Sequence, residues 1–150
     1  MSRVLVARSV AGGDRFSEAN AIGRSNLFPL ERDLLDAIVS QALGGNEMWR
    51  RQIEHLRVSR RRFSATGFQS LFTLSDPAMT VVPFVANEVV SGWIRTDLPG
   101  GRISIGHVLY IERGTMVMLE GVASGQEFPA EIGAYEVVDD RDGARKSRAG

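Results

Sequence analysis

The sequence predicts an α+β fold: an N-terminal helix pair packed on a meandering antiparallel β-sheet of about 4–6 strands. Three observations carry that expectation. Between residues 29 and 56, apolar side chains recur every three to four positions, the period of a helix with one buried face. From residue 57 the period falls to two, that of a strand. Residues 102–124, RISIGHVLYIERGTMVMLEGVAS, are two apolar runs around a short polar turn, which is the pattern of a hairpin.

Residues 1–28 mix Gly, Ser, Asn and Arg with scattered aliphatics. Val4-Leu5-Val6 suits a short edge strand, and the rest reads as an irregular or partly disordered N-terminal arm. Pro29 opens a helix where its missing N–H is harmless. Glu31 and Asp33 place negative charge near that N-terminus, which favours the helix dipole. Leu30, Leu34, Leu35, Ile38, Val39 and Ala42 then form one apolar stripe. Gly44-Gly45 ends this helix, and Asn46 caps a second one running through His55, with Trp49, Ile53 and Leu56 on a shared face.

The segment RVSRRRFSATGFQSLFTL reads as two strand segments broken near Thr66-Gly67 by a bulge or a tight bend. SDPAMTVVPF, with two prolines, reads as a loop. NEVVSGWIRTD resumes strand character, and Leu98-Pro99-Gly100-Gly101 turns the chain into the hairpin. QEFPAEIGA is then a loop and residues 135–138 a short last strand. The expected organisation is a single α+β domain over residues 29–138, with a charged flexible tail over residues 139–150.

In the hairpin, a two-residue loop at Arg113-Gly114 sets Glu112 opposite Thr115. Counting outward pairs Ile111 with Met116, Leu109 with Met118, Gly106 with Gly121 and His107 with Glu120. His107 and Glu120 then share a face with Ile103, Ile105, Leu109, Ile111, Met116, Met118 and Val122. A bulge would shift the count and send one partner to the other face. The paired glycines leave a gap where an aromatic such as Trp93 can pack.

Composition narrows the function classes. The chain has 150 residues, 18 basic against 18 acidic, and no cysteine. Disulfides, thiolate nucleophiles and cysteine-ligated metals are therefore excluded. Zero net charge gives no global field, so neither nucleic acid nor membrane is an expected partner, despite the clusters Arg50-Arg51 and Arg57 through Arg62. No apolar run approaches the ~20 residues of a spanning helix, and Arg8 interrupts the first one. The expected location is the cytoplasm.

Two sets of residues are candidates for chemistry. A carboxylate beside an imidazole orients it and raises its pKa, so His107 and Glu120 form a candidate catalytic pair, base and orienter. The plainer reading of the same pair is a polar link between two strands. Arg60 and Arg62 alternate to one face of their strand while Arg61 goes to the other with Phe63, so Arg60 and Arg62 are candidate ligands for an anionic group. The plainer reading is a solvated face or a protected sheet edge. His55 has no spacing link to His107, and no metal site or cofactor is expected. The glycine pairs are turn punctuation, without a phosphate-binding loop or nucleophile elbow. Phe128-Pro129 reads as a covering loop at the end of the sheet, with a lid as the alternative.

Arg62, Thr66-Gly67-Phe68 and Phe72, followed by Leu119-Glu120-Gly121 and Glu127-Phe128-Pro129, form a pattern of their own. It resembles a set of small bacterial proteins in which an R-x-x-x-T-G segment precedes an L-E-G strand and an aromatic-Pro loop. The resemblance spans roughly residues 60–130. It implies a similar small α+β fold and brings no catalytic residues with it.

These features point first to a non-catalytic binding or protein-interaction module using one sheet face or edge. Its expected partner is a protein or a small anionic ligand, or a second copy in a homo-oligomer. The alternative is a hydrolase- or isomerase-like small-molecule enzyme using His107, Glu120 and Arg62. A ligand-binding sensor using the same pocket ranks third.

Overall fold

A computed structural model describes residues 2–82, 87–90 and 93–141. The chain begins with strand β1 (Arg3–Ser9), a two-residue strand β2 (Phe16–Ser17) and one helical turn, α1 (Glu18–Ala21). Helices α2 (Pro29–Ala42) and α3 (Glu47–Glu54) follow. Strands β3 (Leu56–Phe63) and β4 (Gly67–Leu74) form the first hairpin. After β5 (Glu88–Val90) and β6 (Ile94–Asp97) comes the central hairpin, β7 (Ser104–Glu112) and β8 (Thr115–Ala123). The chain closes with β9 (Glu131–Ile132) and β10 (Ala134–Asp139).

The main sheet is antiparallel, in the order β1-β10-β6-β7-β8-β4-β3, with β5 also paired to β7. β2 and β9 form a separate two-stranded ribbon. The α+β class and the antiparallel sheet are as the periodicity indicates. The expected helix pair on 4–6 strands is corrected in count: among the described residues the main sheet has eight strands, and α1 makes a third helix. β1 is the edge strand expected at Val4-Leu5-Val6, lengthened to Arg3–Ser9 and paired with β10. The 87–97 segment is two strands, β5 and β6, both on the same side of β7. Residues 91–92, within that segment, and 142–150, within the expected tail, lie outside the described residues.

The helices form for the expected reasons. Phe28 precedes Pro29 and has no acceptor to offer, but Glu31 reaches back to accept from the Phe28 N–H at 2.7 Å. Asn46 caps α3 by accepting from the Met48 N–H at 2.7 Å. The stripe of α2 is fully buried at Leu30, Leu34, Leu35, Ile38 and Val39. It shares one buried core with Ile105, Leu109, Leu119 and Val137 of the inner face of the sheet.

The hairpin turn is as counted. Arg113 and Gly114 both have positive φ, 50° and 74°, as a two-residue turn with the right twist requires. Glu112 pairs with Thr115 and Ile111 with Met116. Beyond that pair the register shifts by one at Val117, so Leu109 meets Leu119, Val108 meets Glu120 and His107 meets Gly121. The expected His107–Glu120 pairing is therefore wrong, and the two side chains lie on opposite faces. The reason is energetic. Strict alternation would bury the Glu120 carboxylate and expose Leu119, and an unpaired buried charge costs several kcal/mol. The bulge lets Met116 and Leu119 both reach zero exposure.

Gln52 of α3 anchors this end of the hairpin. Its amide nitrogen donates to the carbonyls of Gly114 at 2.9 Å and Met79 at 3.0 Å. Its oxygen accepts from the Met116 N–H at 2.8 Å. The aromatic over Gly121 is Phe68, its β4 neighbour, rather than Trp93.

Candidate functional site

The sheet separates the four candidate residues into two environments. His107 points inward, 3 % exposed. Its Nε2 lies 2.8 Å from the Thr96 hydroxyl, and its ring centroid 6.1 Å from that of Phe68. Nδ1 has no partner at hydrogen-bonding geometry, although the Glu120 backbone lies near enough to oppose loss of the proton slightly. Burial dominates and pushes the imidazole from 6.5 down to about 3. The ring is therefore neutral, lacks the carboxylate that would orient a general base, and sits beneath the sheet. That is the environment of a core histidine.

The shift has a consequence for acid stability. A base whose pKa is lowered on folding adds no pH dependence above its unfolded value. Below 6.5, and down to about 3, the unfolded chain takes up a proton that the folded chain refuses. Stability should then fall by about 1.4 kcal/mol per pH unit from this group alone. Urea titrations of the wild type and His107→Gln across that window should show a steeper acid decline for the wild type. Parallel curves would mean that His107 is protonated in the fold.

Glu120 points outward and joins the arginines. Arg62, Gln69, Glu120 and Val108 form one cross-strand row on β3, β4, β8 and β7. The Gln69 amide donates to Glu120 Oε2 at 2.8 Å. In the next row, Arg60 is followed by Leu71, Met118, Tyr110 and Val89. The expected alternation of Arg60 and Arg62 against Arg61 and Phe63 thus holds, and it brings both arginines to the face that Glu120 occupies. A shallow depression of about 360 Å³ opens in this face, with Gly67 in its floor and Arg62, Ser64, Gln69, Glu120 and Val122 around it. The guanidinium groups of Arg60 and Arg62 have no side-chain partner among the described residues.

No family model matches the chain, and no curated protein or solved structure matches it.

Two ionic clusters lie outside the candidate residues, one buried at Glu31 and one at Asp33 with a half-exposed Arg8. Glu31 is fully buried and takes both arms of Arg61, at 2.8 and 3.0 Å, with the Ser70 hydroxyl and the Phe28 N–H on its remaining lone pairs. Arg61 also donates to the Arg24 and Asn26 carbonyls at 2.7 and 2.8 Å, and it lies 4.7 Å from the centre of the Phe28 ring. Asp33 binds Arg8 bidentately at 2.6 and 2.9 Å and accepts from the Tyr135 hydroxyl at 2.7 Å. Burial, and then the hydrogen bond to Asp33, push the Tyr135 phenol up from its ordinary value. These clusters tie α2 to β3, β4, β1 and β10, and their polar atoms are occupied by one another.

The signal for the first cluster was present in the sequence. Glu31 is in phase with Leu34, Leu35 and Ile38, and Arg61 is in phase with Phe63. A charged residue at each of two inward positions implies that they meet.

Phe128 lies over the end of the inner face, its ring centroid 5.7 Å from Phe68 and 6.4 Å from Phe16. Its N–H donates to the Ala65 carbonyl at 2.7 Å, so it is the covering loop expected. Among the described residues, no group of three or more His, Asp or Glu side chains is placed to hold a metal ion. No described helix is long and apolar enough to cross a membrane.

Proposed function

We propose that this protein is a non-catalytic interaction module that binds a protein partner through the outer face of β3, β4, β8 and β7. The supporting observation is how the two faces divide. The helices lie against the inner face, while the outer face presents Leu71, Met118, Tyr110 and Val89 in a row beside Arg60, Arg62 and Glu120. Arg, Tyr and Met set around an apolar strip are typical of the core of a protein interface. Val89 and Val122, 66 % and 48 % exposed, add apolar surface to this face. A small anion is the weaker reading, because the Glu120 carboxylate borders the same depression and repels it.

Photo-crosslinking in the producing cells tests this directly. A photoreactive residue at Val89 or Val122 should give discrete protein adducts. One at Ile22, which is 85 % exposed but lies outside this face, should not. Equal adducts at all three positions, or none at any, would overturn the proposal.

A further inference from the structure

We infer that the partner is a second copy of this chain, docked face to face across a twofold axis running along β4. The inference rests on the outer-face reading above and names its occupant.

One row of the outer face is complementary to itself in charge. β4 presents neutral residues outward: Gly67, Gln69, Leu71 and Thr73. On one side of it β3 carries Arg57, Arg60 and Arg62, and on the other β8 carries Glu120. Adjacent strands are about 4.8 Å apart, so Arg62 and Glu120 stand at equal distances on either side of β4 in one row. A twofold rotation about an axis along β4 exchanges those two positions. Arg62 of each copy then faces Glu120 of the other, and the contact is made twice, as an isologous interface requires. Gln69 and Leu71 meet their own counterparts on the axis. Arg60 comes over the partner's Met118, where its aliphatic stem has an apolar surface to lie on.

A partner of a single charge sign fits that row less well. An acidic surface would satisfy the arginines and be repelled by Glu120, and a basic one the reverse.

Sedimentation equilibrium of the purified protein should show a monomer–dimer equilibrium. Arg62→Glu and Glu120→Arg should each weaken the dimer by about tenfold or more, because each replaces two attractions with two repulsions. An equimolar mixture of these two variants should recover it as a heterodimer, since the carboxylate introduced in one copy then faces the guanidinium introduced in the other. Leu71→Arg, placed on the axis, should disrupt the dimer independently, and it keeps the test open if Glu120→Arg fails to fold.

A wild type that stays monomeric at all concentrations, or single variants that dimerise as well as it does, would overturn the inference. The crosslinking result separates the two levels. A monomeric protein whose Val122 adduct contains a different polypeptide overturns self-association and keeps the interaction module. A monomeric protein with no outer-face adduct overturns both.

Discussion

Arg61→Ala should destabilise the protein by about 3–5 kcal/mol, the largest loss expected from any single side chain here. The guanidinium and the Glu31 carboxylate are 3 % and 0 % exposed, so the carboxylate that remains cannot recover its hydration. The Ser70 hydroxyl and the Phe28 N–H stay on Glu31, but they do not neutralise it. The Arg24 carbonyl also loses its donor, and the Asn26 carbonyl keeps only the Arg24 Nε–H. The measurement is urea unfolding at neutral pH. Replacing both partners with apolar residues, as in Glu31→Leu with Arg61→Met, should return most of the loss, because desolvation of the charges disappears with them. A loss below about 1 kcal/mol for Arg61→Ala, the range of an exposed pair, would mean that water reaches the cluster.

Gly67→Ala should cost about 3 kcal/mol, the upper part of the range for overpacking. A β-carbon there would collide with the carbonyl oxygen of Gly121 and crowd the Val122 Cα. Both obstacles are backbone, so relief requires β4 and β8 to move apart, and that strains their ladder. Gly106→Ala is the internal control: nothing lies within 4 Å of a β-carbon there, and the change should fall within about 0.5 kcal/mol of neutral. Gly121→Ala should lie between them, since its obstacle is the Phe68 ring, a side chain rather than backbone. Thermal unfolding of the three variants checks the order. Equal effects at Gly67 and Gly106 would show that the close approach of β4 and β8 is relaxed in solution.

The contrast between these sites shows what the sequence made readable. Local signals held: Pro29 and Asn46 as helix openers, the Arg113-Gly114 turn, and the inward and outward alternation of Arg60 to Phe63. Each depends on neighbours a few residues apart. The register of β8 was not readable by counting, because one extra residue at Val117 is invisible to a period-two rule. A different question would have exposed it, namely which register buries Leu119 in place of Glu120. Gln52 was hidden for another reason. Its partners lie on the hairpin turn and on the 77–79 loop, far along the chain, and no spacing marks them. β1 was readable at Val4-Leu5-Val6, but its extension to Ser9 depends on pairing with β10 and left no local mark.

That partnership of β1 and β10 bears on how the domain comes into being. A ribosome releases Arg3–Ser9 well before Ala134–Asp139, so β1 must wait for nearly the whole domain before it has a neighbour. Asp33 waits with it, since its Tyr135 contact arrives only with β10. In any longer or shorter polypeptide containing this domain, the nascent chain carries an unpaired strand edge and an incompletely covered α2 until synthesis passes residue 139. Its folding is therefore committed late, and this interval of translation is when a chaperone would have something to hold.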